Sequence, residues 1–494
     1  MNPPRRPSSS FLLVPRLAAL AAGAVALAGL GCRQAPPPSP DGAVIVAEVQ
    51  PGGAGEIAGL VAGDRILRLR RAGAPPANPD PAELEPASCL AVAQFEIEQA
   101  PRGPVEIEIE SGSRKEGQTV RRTLRLEADD WRIRLGTEHP TTPAAKAWDH
   151  LQRGSVEADA HRPAPAEAEY AAAERFAVAG HDERLLALIR QRRADARVGA
   201  DDFSGALADI RSSIEIRRRS EPGSLATAQS WSALGRVQNR REELDAARQS
   251  LENARRIQAV QAPGSLALAS TENNLGMNGG IRGDLDAADH HFRAALAIAE
   301  GKMPEGRVTA SLLINLGNVA RLRSRLDEAE QFQRRAFGLW RRLEPKSPKL
   351  PDILLNLANI AMARGDLDRA DGLLQAGLEA NRVLGLEGQA AAGALAGLGL
   401  LAERRGNFAE AEARQLEALA VFSRLAPEGP SIARTLTNLA TAANAQGATA
   451  RAEGYAARAV RLHRKIAAGS PILAYDLVNL AEIAAARKDA KATR

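Results

Sequence analysis

Asparagine recurs in this chain at a fixed interval. Asn274, Asn315, Asn356, Asn438 and Asn479 are separated by 41 residues or a multiple of it, and Asn318 and Asn359 keep the same beat three positions later. Asparagine is unfavourable inside a helix because its side chain competes for main-chain hydrogen bonds, so its recurrence there asks for a reason. An amide carries both donors and an acceptor. A column of amides can hold the main chain of an extended peptide, each bond contributing about 1 kcal/mol net. The same column can instead bond to neighbouring helices and hold unit to unit; both readings stand at this point. Arg236, Arg240, Arg321 and Arg404 fall on the same face and suit acidic groups on a ligand.

Other chemistry is poorly represented. There is no Gly-rich phosphate loop, no His-Glu-x-x-His and no Gly-x-Ser-x-Gly elbow. The two cysteines, Cys32 and Cys89, exclude a disulfide framework and a Cys-rich zinc site. His290 and His291 are adjacent, and neighbours on a helix point about 100° apart, which makes them a surface pair rather than a metal site. No catalytic residue, metal or cofactor is expected, and the chain reads as a non-enzyme. Lys and Arg total 65 against 60 Asp and Glu, and aromatics are 3% of residues. That balance describes solvated helix faces and leaves no stacking platform for nucleic-acid bases.

The elements that would position these amides come from the same period. Ala233-Leu234-Gly235, Asn274-Leu275-Gly276, Asn315-Leu316-Gly317, Asn356-Leu357-Ala358, Gly397-Leu398-Gly399, Asn438-Leu439-Ala440 and Asn479-Leu480-Ala481 repeat every 41 residues without insertion. Ala206, Ala247, Ala288, Ala329, Ala370, Ala411 and Ala452 follow, as do Ala254, Ala295, Ala336, Ala418 and Ala459. One unit reads as two helices. Leu313, Leu316 and Ala320 form an apolar stripe at helical spacing. A break follows at Ser324-Arg325, and Leu326-Asp327-Glu328-Ala329 opens a second helix with acids where the helix dipole favours them. The small residue after each Leu lets the paired helix approach. The expected fold class is mainly α: a solenoid of helix pairs, preceded by a small α+β domain.

Trp231, Leu234, Gly235, Ala247 and Ala254 give this repeat its resemblance to the tetratricopeptide repeat. The ordinary unit is about 34 residues; seven more add about two helical turns and keep the faces in phase. The long form is similar to the repeats of kinesin light chains. The resemblance implies that the first helices line a concave surface, with the residues one before and two after the repeated Leu pointing into it. It also implies protein or peptide ligands.

The remaining segments are read in order. Residues 1–32 look like an export signal: Arg5, Arg6 and Arg16 precede an uncharged stretch of 14 residues, 17–30, too short for a membrane span of about 20. Leu30-Gly31-Cys32 resembles a bacterial lipobox, which implies lipidation of Cys32 and a place in the cell envelope, anchored to a membrane. Residues 33–40 are a Pro-rich tether. Residues 41–127 change character. Val44 to Val49 is strand-like, Pro51-Gly52-Gly53 turns, and Gly63-Asp64-Arg65-Ile66 starts another strand. This run is similar to PDZ domains of bacterial periplasmic proteases. The resemblance implies a peptide groove with Ala43 and Ile45 on its strand side, Leu90 and Gln94 on its helix side and Gly42 in the carboxylate-binding loop; a PDZ fold kept for packing alone is the alternative. Cys89 reads as a small buried apolar residue.

Residues 128–181 are expected to form two helices that cap the solenoid, which then occupies 182–494. The last helix, from Leu473, stands without a partner. The order of domains is similar to that of bacterial exported proteins that carry a CHAT peptidase after the repeats. The main expectation is an interaction scaffold of the envelope; the alternative is the recognition part of a proteolytic system whose peptidase is missing or encoded separately.

Overall fold

In the computed structural model, residues 42–73, 80–112, 119–127, 131–386, 388–425, 429–466 and 471–492 are described. Cys32 and the whole of segments 1–32 and 33–40 lie outside them.

A small antiparallel sheet comes first. Its strands are β1 (Val44–Val49), β2 (Arg65–Arg71), β3 (Ala82–Leu84), β4 (Val105–Ser111), β5 (Val120–Leu126) and β6 (Ile133–Thr137), in the order β5-β4-β2-β1-β6, with β3 beside the far end of β2. Two helices join it, α1 (Ala54–Ala58) and α2 (Cys89–Gln99). Alternation decides which side chains turn inward: Val105, Ile107 and Ile109 of β4 are fully buried, and Cys89, Val92 and Phe95 of α2 pack on the same core. The sheet does not close at 127. Strand β6 completes it, and Trp131, just before β6, is wholly buried.

Helix pairs follow. They are α3 (Pro143–Asp159) with α4 (Pro163–Ala179), α5 (Glu183–Gly199) with α6 (Phe203–Ser220), α7 (Leu225–Arg240) with α8 (Leu244–Gln261), and α9 (Leu266–Arg282) with α10 (Leu285–Lys302). Next come α11 (Arg307–Leu322) with α12 (Leu326–Leu343), α13 (Lys349–Arg364) with α14 (Leu367–Val383), α15 (Gln389–Arg404) with α16 (Phe408–Leu425), α17 (Pro430–Ala445) with α18 (Thr449–Ile466), and α19 (Pro471–Ala492). The pair α3–α4 stacks on α5 as every later pair stacks on the next, so the expected cap is itself a unit of the array. The first helices of successive pairs touch one another directly, while second helices reach the next pair through its first helix. The first helices therefore line the inside of the curve.

Three devices repeat with the period. The residue after the repeated Leu is small because a second-helix side chain lies over it. A Cβ on Gly276 would stand 2.6 Å from Phe292, and one on Gly317 would stand 2.6 Å from the Gln333 amide. Alanine replaces that glycine at Ala358, which packs with Leu374, although Gly235 also faces a leucine, Leu251. Each turn between paired helices holds one left-handed residue. It is glycine at Gly283, Gly365, Gly406 and Gly447, but His161, Asp201, Glu242 and Ser324 elsewhere. Finally, an arginine closing each of four first helices pairs with an aspartate opening the preceding second helix: Arg282 with Asp245, Arg323 with Asp286, Arg364 with Asp327 and Arg405 with Asp368. Asp327 therefore serves the next unit as well as its own helix dipole.

Candidate functional site: the trough of the first helices

The junction between sheet and solenoid shows which face of a first helix looks inward. A cavity of about 1420 Å³ lies there, and α5 presents Leu188, Arg192 and Asp195 to it. These residues stand five before, one before and two after the position that aligns with the repeated Leu. The same three positions carry Asp352, Asn356 and Asn359 on α13, and Arg434, Asn438 and Thr441 on α17. By register these are the positions on α13 and α17 that correspond to the part of α5 facing the cavity.

The amides at these positions divide into two groups. Asn315 donates from Nδ2 to Asn273 Oδ1 of α9 at 2.9 Å. Asn318 Oδ1 accepts from Gln333 Nε2 at 3.2 Å, a bond to its own second helix. Asn274 is buried, and its main-chain carbonyl, not its side-chain amide, accepts from Asn239 Nδ2 at 3.0 Å. Asn239 in turn accepts from Asn278 Nδ2 at 2.7 Å, so this part of the array is laced together by amides. Arg236 pairs with Asp195 of the preceding first helix. For Asn315, Asn318 and Arg236 the expectation of a free ligand contact is corrected: their polar groups already hold neighbouring helices. The reason is local. The residue two before the repeated Leu of the preceding unit decides whether an Asn finds a partner, and only Asn315 meets an amide there.

Asn356, Asn359 and Asn438 are half-buried and make no hydrogen bond within the described residues; Asn479, on α19, is similarly placed. For Asn356 and Asn438 the preceding unit offers Ile314 and Ala396, which have no side-chain acceptor. Arg404 donates to the Met362 carbonyl at 2.8 Å. Arg321 is different. It is half-buried, its Nε is buried without a hydrogen-bond partner, and no carboxylate pairs with it among the described residues. Burial, and then repulsion from the Arg434 guanidinium, lower its pKa from the ordinary arginine value. Arg434 lies on α17, three units further on. Two acids sit on nearby first helices: burial raises the pKa of Asp352 against the pull of Lys349, and that of Glu403 against Arg404.

The sheet lies over the earlier part of the trough. Glu98 of α2 accepts from the main-chain N–H groups of Leu225 and Ala226 at 3.1 and 2.8 Å, the first turn of α7, where the helix dipole favours a carboxylate. Arg102 donates to Gln261 at 2.6 Å.

The groove expected beside Ala43 and Ile45 is not formed. Strand β1 is paired along both edges, with Ile45 opposite Arg65 on β2 and Gly136 on β6, and Val44 opposite Thr137. The added-strand position is filled by β6 of the same chain. Gly42 keeps a positive φ of 78°, but the Ala43 N–H that would receive a ligand carboxylate donates to Glu138 at 3.4 Å. Leu90 packs against the core, and Gln94 is half-buried on α2. The outer edge of β6 is engaged as well: Trp148 Nε1 of α3 donates to the Leu135 carbonyl at 3.0 Å. Cys89 is buried in the sheet core.

Among the described residues no cluster of His, Cys, Asp or Glu is placed to hold a metal ion, and no helix is long and apolar enough to cross a membrane.

Residues 308–383 and 389–465 match the tetratricopeptide-repeat family, and this part of the chain is built of tetratricopeptide repeats. Solved structures similar to the chain include BtubC (BKLC) from P. vanneervenii, at 26% identity over 47% of this chain and 93% of that one, with a TM-score of 0.38. The apo form of the quorum sensor NprR from B. thuringiensis shares 10% identity over 64% and 87%, with a TM-score of 0.51, a likeness of fold. A Rap protein complexed with competence and sporulation factor shares 13% over 71% and 100%, with a TM-score of 0.46. No curated protein matches the sequence significantly.

Proposed function

We propose that this chain is a non-enzymatic interaction scaffold that holds an extended segment of a partner protein in the trough between α11 and α17. The observation that carries this reading is the pattern of hydrogen bonding along one stripe. Asn356, Asn359 and Asn438 are half-buried and unused, while the equivalent amides of α11, Asn315 and Asn318, are consumed between helices. Half-buried amides that no neighbour satisfies are suited to a main chain supplied from outside. The sheet, PDZ-like in its strand–turn–helix–strand run, acts here as a cover for the earlier trough, with its strand positions filled by its own chain and α2 turned onto α7. The scaffold works in a bacterial envelope, lipidated at Cys32. Replacing Cys32 by Ser should release the protein from the membrane fraction, and retained membrane association would remove the anchor.

A photo-crosslinking side chain placed at Asn359, and separately at the exposed Gln331 of α12, tests the trough in the full chain. An adduct from position 359 that maps to one continuous segment of one protein, and is absent from 331, is expected. Equal adducts from both positions would contradict the reading.

A further inference from the structure

Helix α19 is anchored on one side and open on the other. Buried Asp476 accepts from Thr437 Oγ1 of α17 at 2.7 Å and pairs with buried His463 of α18. Leu473 and Ile483, on the same side of α19, are buried as well. These contacts fix which way the helix is turned. Its other side carries Ala474, Leu477, Val478, Ala481 and Ala485, all exposed, with Leu477 and Val478 at 41% and 57%. At 3.6 residues per turn the five fall within about 100° and form one apolar stripe. Register gives that stripe its meaning. One unit earlier, Ala433, Leu436 and Ala440 stand at the positions of Ala474, Leu477 and Ala481, and each is fully buried in the α17–α18 pair. Ala310, Leu313 and Gly317 are buried at the same positions of α11. Helix α19 continues to Ala492, past the place where earlier units turn, and within the described residues nothing folds back over the stripe.

The same stripe has the pattern of a second helix. Second helices meet their partners with a small residue, another residue four positions on, and a small one three further. Examples are Ala247, Leu251 and Ala254 on α8, Ala288, Phe292 and Ala295 on α10, and Ala329, Gln333 and Ala336 on α12, all buried. The middle residue lies over the small residue that follows the repeated Leu, as Leu251 does over Gly235. Ala474, Val478 and Ala481 repeat that spacing, and Ala481 is itself the small residue after Leu480. The stripe is therefore its own complement. We propose that two copies of this chain join through α19, antiparallel about a two-fold axis, so that each α19 takes the second-helix place beside the other. Val478 of each copy then packs over Ala481 of the other, and Ala474 meets Ala485. First and second helices of a unit are antiparallel neighbours joined by a short turn, so the two-fold reproduces a contact already used along the array. A surface serving an unrelated helix would not need both halves of the pattern. The inference is independent of the trough reading.

Sedimentation velocity on the full chain tests it. A reversible dimer is expected in the micromolar range, since a single helix pair lies at the small end of specific interfaces. Val478→Glu and Ala481→Glu each place two unpaired carboxylates in the contact, and each should raise the dissociation constant about a hundredfold or more. Both positions are exposed in the single chain, so its circular dichroism should not change. Val260→Glu, at an exposed apolar site on α8, should leave the dimer intact. In a Cys32→Ser background, with Cys89 buried, a bismaleimide should join copies of an Ala481→Cys variant and not of a Val260→Cys variant. A wild type that stays monomeric throughout the range, a dimer that survives both glutamate variants, or equal crosslinking at the two positions would overturn the proposal. The first of these outcomes would leave the stripe to a helix of another protein.

Discussion

Asn315 and Asn273, on successive first helices, face each other at 2.9 Å with the Asn315 amide donating. This bond separates amides that build the array from amides left for a ligand. Asn315→Ala should lower stability by about 1 kcal/mol. The double replacement with Asn273→Ala should cost less than the sum of the two singles, since both remove the same bond. Thermal unfolding of the four proteins in the cycle checks this; strict additivity would mean that the bond contributes nothing.

Glu330 provides the pH dependence. Its side chain is buried, and it meets Arg334, Arg364 and Arg369 from two units. The hydrogen bond from Arg369 comes first among the causes that hold its pKa below the ordinary glutamate value; burial opposes, and the other two arginines add to the lowering. A carboxylate depressed in the folded state stabilises fully above its unfolded pKa of about 4.3, and that stability is lost as pH falls through the lower folded value. Glu330→Gln should therefore cost about 1–3 kcal/mol near neutrality, with the gap to wild type closing below about pH 4. Thermal midpoints measured from neutral to acid pH read this directly, and a gap unchanged with pH would refute it.

The turn between paired helices makes a prediction of opposite sign at equivalent sites. Glu242 holds a left-handed conformation with φ of 61°, where Gly365 stands at φ 80° in another unit. A side chain in that region costs about 1–2 kcal/mol, part of which glycine returns through its freer unfolded chain. Glu242→Gly should raise the thermal midpoint and Gly365→Ala should lower it. Two shifts of the same sign would show that the turn does not govern stability here.

The contact of Gly276 with Phe292 is open to rescue. Gly276→Ala places a Cβ against the ring and should cost about 1–3 kcal/mol through overpacking. Adding Phe292→Leu recreates the pairing that Ala358 makes with Leu374 and should recover much of that loss. A double variant less stable than either single would contradict the shared-register explanation.

The parts of this molecule that depend on period were readable in advance. The Leu-Gly step, the buried alanines and the break at Ser324 all follow from one helix lying against its partner at a constant offset. The Arg–Asp ladder keeps the same period, yet Arg282, Arg323, Arg364 and Arg405 resemble solvated charge until the preceding unit is laid beside them. Strand order was not readable. Val44–Val49 comes first in sequence and so looks like an edge, but β6, almost a hundred positions later, pairs outside it. The division among the asparagines was half visible: Asn315 follows a unit with Asn273 at the decisive position, and Asn356 follows one with Ile314.

The most direct measurement replaces Asn356, Asn359 and Asn438 together by alanine and compares affinity with stability, using the segment mapped by crosslinking as a synthetic peptide. Three lost main-chain bonds should weaken binding by about a hundredfold and leave the thermal midpoint nearly in place. A fall in the midpoint with affinity unchanged would mean that these amides support the array, and that the trough does not hold its partner in this way.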